Sequence, residues 1–360
     1  MNAKTLSNGL LRTIGILTAI MILLWFLNQI TAIIVYIIIA AVLTLISRPL
    51  IRFLKTKLKF KNTLAVFATI GVYTFLVISI VGLFTPLISK QSDNLSLLNS
   101  DEFKGNIQIL TLKANVYLLE HNIDILEKIK TIDFLPGLKN IPNTLNIILS
   151  KIGSFSIGLL SVLFITFFLM LDAKLLSKST FAFVPKQSRF KVARSLESIK
   201  DLLSRYFIGL VIQITVLFVI YAATLTFFQI ENAIIIAFIC AMFNLIPFLG
   251  PAIGGLLMFV FATTNNLSLD FQTEIIPNSL YIMGGYLFAQ LIDNFISQPL
   301  IFSKSVKSHP LEIFLVILIF GNLFGVIGMV ISIPAYTAIK VILKEFYSDN
   351  KVVELLTKDI

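Results

Sequence analysis

The sequence predicts an all-α, polytopic membrane protein with about 8 to 10 transmembrane or re-entrant helices, including two Gly/Pro-broken helical hairpins. Of its 360 residues, 57% are apolar and 13% are charged, against about 25% charged residues in a soluble domain. The apolar residues form long continuous runs, whereas transmembrane β-strands alternate over about 10 residues. Two runs, 232–264 and 311–343, are longer than one membrane helix requires, and helix breakers interrupt both at the centre.

The charge balance and the scarcity of Cys and His exclude several classes of protein. The net charge of +10 falls in short segments between apolar runs, so it predicts membrane topology and not nucleic-acid binding. The single cysteine, Cys240, excludes an intrachain disulfide and a cysteine-rich metal site. His121 and His309 are too few for a histidine-based zinc or protease centre. A phosphate-binding Gly-Lys-Ser/Thr loop is also missing, so we expect no ATP-driven pump, no cofactor and no enzyme.

Residues 1–88 are predicted to contain three transmembrane helices. Two short helices, Ile14–Leu27 and Ile30–Ile46, are expected to meet at Asn28-Gln29, and a third covers Leu64–Ile88. The first run lacks a small-residue cleavage site, so we predict a retained helix and not a signal peptide.

A basic segment lies between the second and third predicted helices. It contains six basic residues and no acidic one: Arg48, Arg52, Lys55, Lys57, Lys59 and Lys61. This excess of positive charge predicts a cytoplasmic loop and therefore a cytoplasmic N-terminus. The alternation of these cations with Phe53, Leu58 and Phe60 also suits a segment that lies on anionic headgroups.

The middle of the chain combines a polar region with one more predicted membrane helix. Residues 89–150 have a near-neutral charge balance and apolar residues at helical spacing, which predicts an external helical subdomain. This subdomain could be a lid, an oligomer contact or a spacer. Residues 151–205 are predicted to hold a fourth transmembrane helix, Phe155–Leu171, and a basic cytoplasmic loop.

Residues 206–343 are predicted to form the transport core, and 344–360 a cytoplasmic tail. The core contains two unbroken helices, Tyr206–Gln229 and Leu280–Ile296. Its first broken stretch is interrupted at 247–251 and its second across 321–328. Each stretch could cross the bilayer and return, or enter and leave on one side. Paired Gly/Pro-interrupted segments of this kind indicate the binding site of a secondary transporter.

Asp293 is the leading candidate for a functional side chain, because ionisable groups at membrane depth are costly. On an α-helix it shares a polar stripe with three neighbours at steps of three and four: Gln290, Asn294 and Ser297. A carboxylate there could bind a cation or carry a proton coupled to transport. The alternative is a structural ion pair with Arg205 or Lys304.

The other candidate pathway residues lie near the two breaks or in the helix before them. They are Gln213, Asn244, Pro247, Gly250, Pro251, Gly321, Asn322 and Gly325. They could line a pathway, satisfy backbone groups freed by Pro and Gly, or allow close helix packing. Glu231 and Glu312 stand at the start of the broken stretches and are predicted to stabilise helix N-termini.

These motifs resemble the autoinducer-2 exporter family, also described as PerM-like permeases, over nearly the whole chain. The resemblance is most specific in the C-terminal half, in the following motifs: Pro247-Phe248-Leu249-Gly250-Pro251, Asp293-Asn294, Pro299, His309-Pro310, Gly321, Gly325-Val326-Ile327-Gly328 and Pro334. One departure is Leu210, where the family often has glutamine, although Gln213 lies one turn further on.

The resemblance implies a secondary transporter in the bacterial cytoplasmic (inner) membrane, assembled as a homo-oligomer such as a pentamer. It implies export of an autoinducer-2-type signal, or alternatively Na⁺(Li⁺)/H⁺ antiport. From the two broken segments and Asp293 we expect transport by alternating access, coupled to protons. An alternative of another class is a non-transporting membrane scaffold. The expected partners are a small-molecule or ion substrate, membrane lipids and further copies of the chain, and not nucleic acid.

Overall fold

The computed structural model describes residues 3–89, 109, 112, 113, 116, 158–172, 184–264, 270–301 and 308–358. Within these ranges all regular secondary structure is helical, and five helical segments have the length and hydropathy of a membrane span, although one of them, Pro310–Phe346, reverses direction at Gly325. The predicted all-α polytopic fold is therefore confirmed. Of the predicted external subdomain at 89–150, only Ser89 and four isolated residues fall within the described part of the chain.

We number the helices in chain order. They are α1 (Ala3–Gln29), α2 (Thr31–Thr56), α3 (Asn62–Ser89), α4 (Gly158–Leu171), α5 (Arg189–Phe227), α6 (Ala233–Phe243), α7 (Leu249–Thr264), α8 (Phe271–Ile301), α9 (Pro310–Phe346) and α10 (Lys351–Thr357). Two π-helical turns, Phe271–Ile275 and Asp293–Ser297, interrupt α8. The described residues divide into two compact units, one formed by those within 1–70 and 155–176 and the other by the rest.

In the first unit, α4 packs beside the start of α3. The rings of Phe67 and Phe167 lie 5.0 Å apart, and the Asn62 side-chain amide donates to the Leu171 carbonyl oxygen at 3.4 Å. The predicted break at Asn28-Gln29 is displaced by one residue: α1 includes both of these residues, and Ile30 separates it from α2. However, α2 continues ten residues beyond the predicted end at Ile46, because Leu54 is buried and extends the packed face of the helix.

The second unit contains a correction to the predicted loop before the fifth membrane helix. Residues 189–205 are helical and form the first part of α5. The sequence pattern suggested a loop because basic residues are frequent there. Ser195 and Leu202, two helical turns apart, nevertheless lie on one buried face of this part of α5, and most of the charged residues project from the rest of a continuous helix.

The first broken stretch is a hairpin of two short helices, α6 and α7. The turn between them includes Phe248 at a positive φ of 67°, and a Cβ at Gly254 would lie 3.2 Å from the carbonyl oxygen of Cys240. With 11 and 16 residues, the arms rise about 17 and 24 Å. Both rises are shorter than the roughly 30 Å of the hydrocarbon core, which favours the re-entrant alternative for this hairpin.

The second broken stretch, α9, also folds back on itself. Its backbone leaves helical geometry at Gly325, where φ is 64° and ψ is −148°. The Tyr336 hydroxyl donates to Glu312 Oε2 at 3.0 Å, although a straight helix would separate residues 24 positions apart by about 36 Å. Both predicted hairpins are therefore present.

The core of the second unit lies among α5, α6, α7 and α8. Fully buried side chains from these helices meet there, among them Tyr221, Ala237, Met258 and Ile282. A second cluster joins α5, the end of α8 and both arms of the second hairpin: Tyr206, Leu210, Ile301, Ile313, Ile317 and Ile333. The two hairpins meet where the rings of Phe248 and Phe314 pack edge to face, 5.3 Å apart. This packing holds α5 and the first hairpin in place around Asp293 of α8.

Candidate functional site

Asp293 begins the second π-helical turn of α8, and its side chain is 0% exposed. The widened turn brings residues five positions apart together, which an α-helix does not do. As a result, the Gln298 amide reaches back and donates to Asp293 Oδ2 and to Asn294 Oδ1, both at 2.9 Å. The π-turn therefore fixes one oxygen of the carboxyl group.

The Asp293 carboxyl group borders a small cavity at the junction of α5, the first hairpin and α8. Nine residues line this cavity: Tyr206, Leu210, Gln213, Asn244, Pro247, Pro251, Asp293, Gln298 and Ile301. Its volume is ≈ 10 Å³, roughly the room needed by one water molecule. In this conformation the cavity can hold a water molecule or an ion of similar size, and it is too small for an organic solute.

Two buried acceptor atoms at this site have no hydrogen-bond partner among the described residues. They are Asp293 Oδ1 and Gln290 Oε1. The described part of the chain places no cation against Asp293: Arg205 is exposed, and Lys304 lies outside the described residues. Since a buried carboxylate without a counter-charge is costly, the site is suited to take up a proton or a small cation.

Behind the cavity, Gln290 ties α8 to two other helices. Its amide donates to the Tyr221 hydroxyl at 2.8 Å and to Asn244 Oδ1 at 3.2 Å. The Asn244 amide in turn donates to the Cys240 carbonyl oxygen at 3.1 Å, at the end of α6. These bonds hold the turn of the first hairpin against α8.

Two stacked tyrosines secure the other arm of that hairpin. Tyr221 stacks on Tyr286 with ring centroids 5.4 Å apart, and the Tyr286 hydroxyl donates to the Pro251 carbonyl oxygen. Gly255 is needed there, since a Cβ would approach the Tyr286 ring to 2.9 Å. The hairpin is thus bonded to α8 through both of its arms.

The structure brings five of the predicted pathway residues together around the cavity: Gln213, Asn244, Pro247, Pro251 and Asp293. Gln290 lies next to them, one hydrogen bond from Asn244. Asn294 is exposed and reaches the site only through Gln298. Gly250 is buried in the turn, where a Cβ would overlap the Phe243 carbonyl oxygen. Its placement fits tight packing better than solute contact.

The predicted residues of the second break are not at this cavity. Gly321, Asn322 and Gly325 lie near the tip of the second hairpin, where Asn322 and Gly325 are exposed. Gly321 is buried, and a Cβ there would approach the Met329 side chain to 2.7 Å. Their roles in a pathway stay predictions, with packing and the reversal of the chain as their visible structural contributions.

Three site residues were not predicted from the sequence: Tyr206, Tyr221 and Gln298. The two tyrosines belong to a buried stripe on α5 at steps of three and four, which the sequence does contain: Tyr206, Leu210, Gln213, Leu217 and Tyr221. Gln298 lies five positions after Asp293, a spacing that brings two side chains together only in a π-turn. Helical periodicity could have found the tyrosines, but not Gln298.

Lys340 was also missed, although a lysine within an apolar stretch is a clear signal. Its side chain is 3% exposed and joins the two arms of the second hairpin. Its ammonium group lies 3.3 Å from Glu312 Oε2 and donates to Ser308 Oγ at 2.9 Å. Glu312 does lie in the first turn of α9, as predicted. Its contacts there are the Lys340 ammonium and the Tyr336 hydroxyl.

Comparison with known proteins places this architecture in one family. The model of the AI-2E family transporters matches residues 14–348. YueF, a candidate transport protein of Bacillus subtilis (strain 168), is 23% identical over 315 residues, which are 84% of this chain and 81% of YueF. YrrI, another candidate transport protein of that strain, is 28% identical over 183 residues, 51% of this chain and 49% of YrrI.

A third relative matches a shorter segment at a higher sequence identity. The candidate permease PerM of Escherichia coli (strain K12) is 41% identical over 58 residues, 16% of each chain. The chain thus spans about half of YrrI and most of YueF. Because the family model covers nearly the whole chain, including every residue that lines the cavity, the chain belongs to the AI-2E family of membrane transporters.

Proposed function

We propose that this transporter exports a small organic solute of the autoinducer-2 type by alternating access, and that protons drive the export. The observation that carries the proposal is the Asp293 carboxyl group, which is buried in the cavity with Oδ1 unpartnered. A group in that position is stable when it holds a proton and requires water or a counter-charge when it releases one. Its exchange of a proton is therefore tied to opening of the site.

The moving part in this proposal is the turn of the first hairpin. The cavity has room for about one water molecule, so an organic solute enters only if the turn moves away from α8. That movement breaks the bond between Gln290 and Asn244 and exposes Asp293. Solute entry and proton exchange then require the same opening, which is the physical basis of the proposed coupling.

Na⁺(Li⁺)/H⁺ antiport is a second candidate function, and the size of the cavity favours it. Carboxylate and amide oxygens are the ligand type that small hard cations prefer. Asp293 Oδ1 supplies such an oxygen, and Gln290 Oε1 lies one helical turn away. In this mode one cation and one proton compete for the same carboxyl group.

We also propose that the chain works as a homo-oligomer in the bacterial cytoplasmic membrane, with both termini in the cytoplasm. The family resemblance supports the oligomer, and the basic segment 48–61 supports the orientation. Labelling of single introduced cysteines from either side of right-side-out vesicles tests the orientation, and mass analysis in detergent tests the oligomer.

Flux measurements in liposomes test the proposed function. Purified protein is reconstituted, and efflux of labelled autoinducer-2 is followed with and without a pH gradient. We expect efflux above that of empty liposomes, accelerated by the gradient. Absence of solute flux, together with a Na⁺- or Li⁺-triggered change of internal pH, would replace the exporter with the antiporter.

A further inference from the structure

The turn between α2 and α3 exposes a basic and apolar surface that the transport site does not use. We define this basic turn by its five exposed cations and its three exposed apolar side chains: Arg52, Lys55, Lys57, Lys59, Lys61, Phe53, Leu58 and Phe60. Phe53 and Leu58 are each 52% exposed and Phe60 is 39% exposed. No acidic residue occurs between Arg48 and Lys61, so nothing in the segment neutralises the cations.

The basic turn is compact. The Lys57 amide donates to the Phe53 carbonyl oxygen at 2.8 Å, and the Phe60 amide donates to that of Leu54 at 3.1 Å. Lys59 between them adopts a left-handed φ of 54°. These bonds fix the backbone of the turn along which cations and apolar side chains alternate.

Two consecutive hydrogen bonds through the Asn62 side chain connect the basic turn to the rest of the first unit. The Lys55 ammonium donates to the Asn62 side-chain oxygen at 3.2 Å, and the Asn62 amide donates to the Leu171 carbonyl oxygen at the end of α4. Leu54, the neighbour of Lys55 in the chain, is buried. The surface is therefore held in place before any ligand binds, which lowers the entropy cost of binding.

The position of the basic turn indicates what it meets. Both α2 and α3 are long and apolar enough to cross a membrane, so the short turn that joins them lies at a membrane surface. Lipid phosphates occupy that depth, and lysine and arginine donate charge-assisted hydrogen bonds to phosphate oxygens. Aromatic and leucine side chains between the cations suit the boundary of headgroups and acyl chains.

We propose that the basic turn is a binding site for anionic phospholipid headgroups, with the cations on the phosphates and the apolar side chains inserted between the lipids. This site shares no residue with the Asp293 cavity. Each Lys or Arg near an anionic surface changes binding by about five-fold. A turn with several such residues therefore selects anionic lipids over zwitterionic ones.

The test measures binding of short-chain phosphatidylglycerol to the purified full-length protein in detergent, by native mass spectrometry. Dioctanoyl phosphatidylcholine and inorganic phosphate serve as competing probes. The test variant is R52Q/K57Q/K59Q/K61Q, which leaves Lys55 and its bond to Asn62 intact. The control variant, K186Q/K191Q/K351Q/K358Q, removes the same charge from exposed lysines elsewhere.

We expect the wild-type protein to prefer phosphatidylglycerol and to lose the preference as salt rises. The test variant should bind it at least about five-fold more weakly, the effect of one cation at such a surface, and the control variant should resemble the wild type. Equal weakening in both variants would reduce the effect to net charge and overturn the proposal. Equal binding of both lipids by the wild-type protein, or equal binding of inorganic phosphate, would also overturn it and does not depend on any variant.

Discussion

The ion pair that joins the arms of the second hairpin leads to a specific prediction, because one of its partners is buried and the other is partly exposed. Lys340 is 3% exposed and Glu312 is 34% exposed, with the ammonium and carboxylate 3.3 Å apart. The perturbations are Glu312→Gln, which removes the charge beside the lysine, and Lys340→Met, which removes the ammonium group at similar volume. Lys344→Met, one turn further along and exposed, is the matched control.

The two substitutions should differ in cost because the two partners differ in exposure. Glu312→Gln leaves a charged ammonium group in a site with almost no access to solvent, and a buried charge that loses its counter-charge costs about 3 kcal/mol. Lys340→Met leaves a carboxylate that still meets solvent and still accepts from the Tyr336 hydroxyl. Its loss should therefore be close to that of an exposed pair, about 1 kcal/mol.

The assay is reversible unfolding in mixed micelles of mild detergent and dodecyl sulfate, followed by circular dichroism. The free energies of unfolding of the two single variants and of the double variant form a cycle, and we expect a coupling energy of about 1 kcal/mol or more. The control should change the free energy by less than about 0.5 kcal/mol. A Lys340→Met variant as destabilised as Glu312→Gln, or a coupling energy near zero, would refute the reasoning.

Two further predictions concern the first hairpin and the start of α8. Gly250→Ala should cost about 1–3 kcal/mol of stability in the same assay, because its Cβ would overlap the Phe243 carbonyl oxygen. Gly284→Ala, whose Cβ would meet no atom within 4 Å, should be neutral or slightly stabilising because alanine favours a helix, and equal effects would contradict the turn geometry. The pKa of Asp270 lies below its ordinary value of 3.8, because its carboxylate accepts hydrogen bonds from the Thr273 amide and hydroxyl and from the Gln272 amide. The stability that the Asp270 carboxylate contributes is therefore present above pH 3.8 and is lost as the pH falls through the lowered pKa. Asp270→Asn should abolish this part of the acid dependence in thermal melts between about pH 2 and 5.

The hairpins could be predicted because their signal is carried by residue type. Pro247 and Gly250 interrupt a run that is too long for one helix, and Gly325 supplies a backbone conformation that other residues rarely adopt. The same reasoning identified Asp293, since a carboxylate in an apolar stretch is uncommon at any depth. These features depend on local chemistry and length, which the sequence records directly.

The details of the cavity could not be predicted in the same way. A π-turn adds one residue to a helical turn without a distinct sequence signal. The contact between Gln298 and Asp293 therefore could not be predicted from a helical period of 3.6 residues. The stripe of Gln290, Asp293, Asn294 and Ser297 assumed an uninterrupted α-helix. In the structure Gln290 and Asp293 are buried, and Asn294 is exposed.

The beginning of α5 shows the opposite error. Residues 189–205 carry enough charge to suggest a loop, but a helix tolerates charge on one face when the other face is packed. Ser195 and Leu202 supply that packed face. Composition was therefore a poor guide to secondary structure here, while the spacing of the buried residues was a good one.

The central claim is that the Asp293 carboxyl group couples solute export to protons. The most direct test compares gradient-driven efflux of labelled autoinducer-2 from liposomes that contain the wild-type protein, Asp293→Asn or the exposed-site control Asp270→Asn at equal reconstituted amounts. We expect the pH gradient to accelerate efflux in the wild type and in the control, and to have no effect on efflux in Asp293→Asn. Acceleration of Asp293→Asn to the wild-type rate would contradict it.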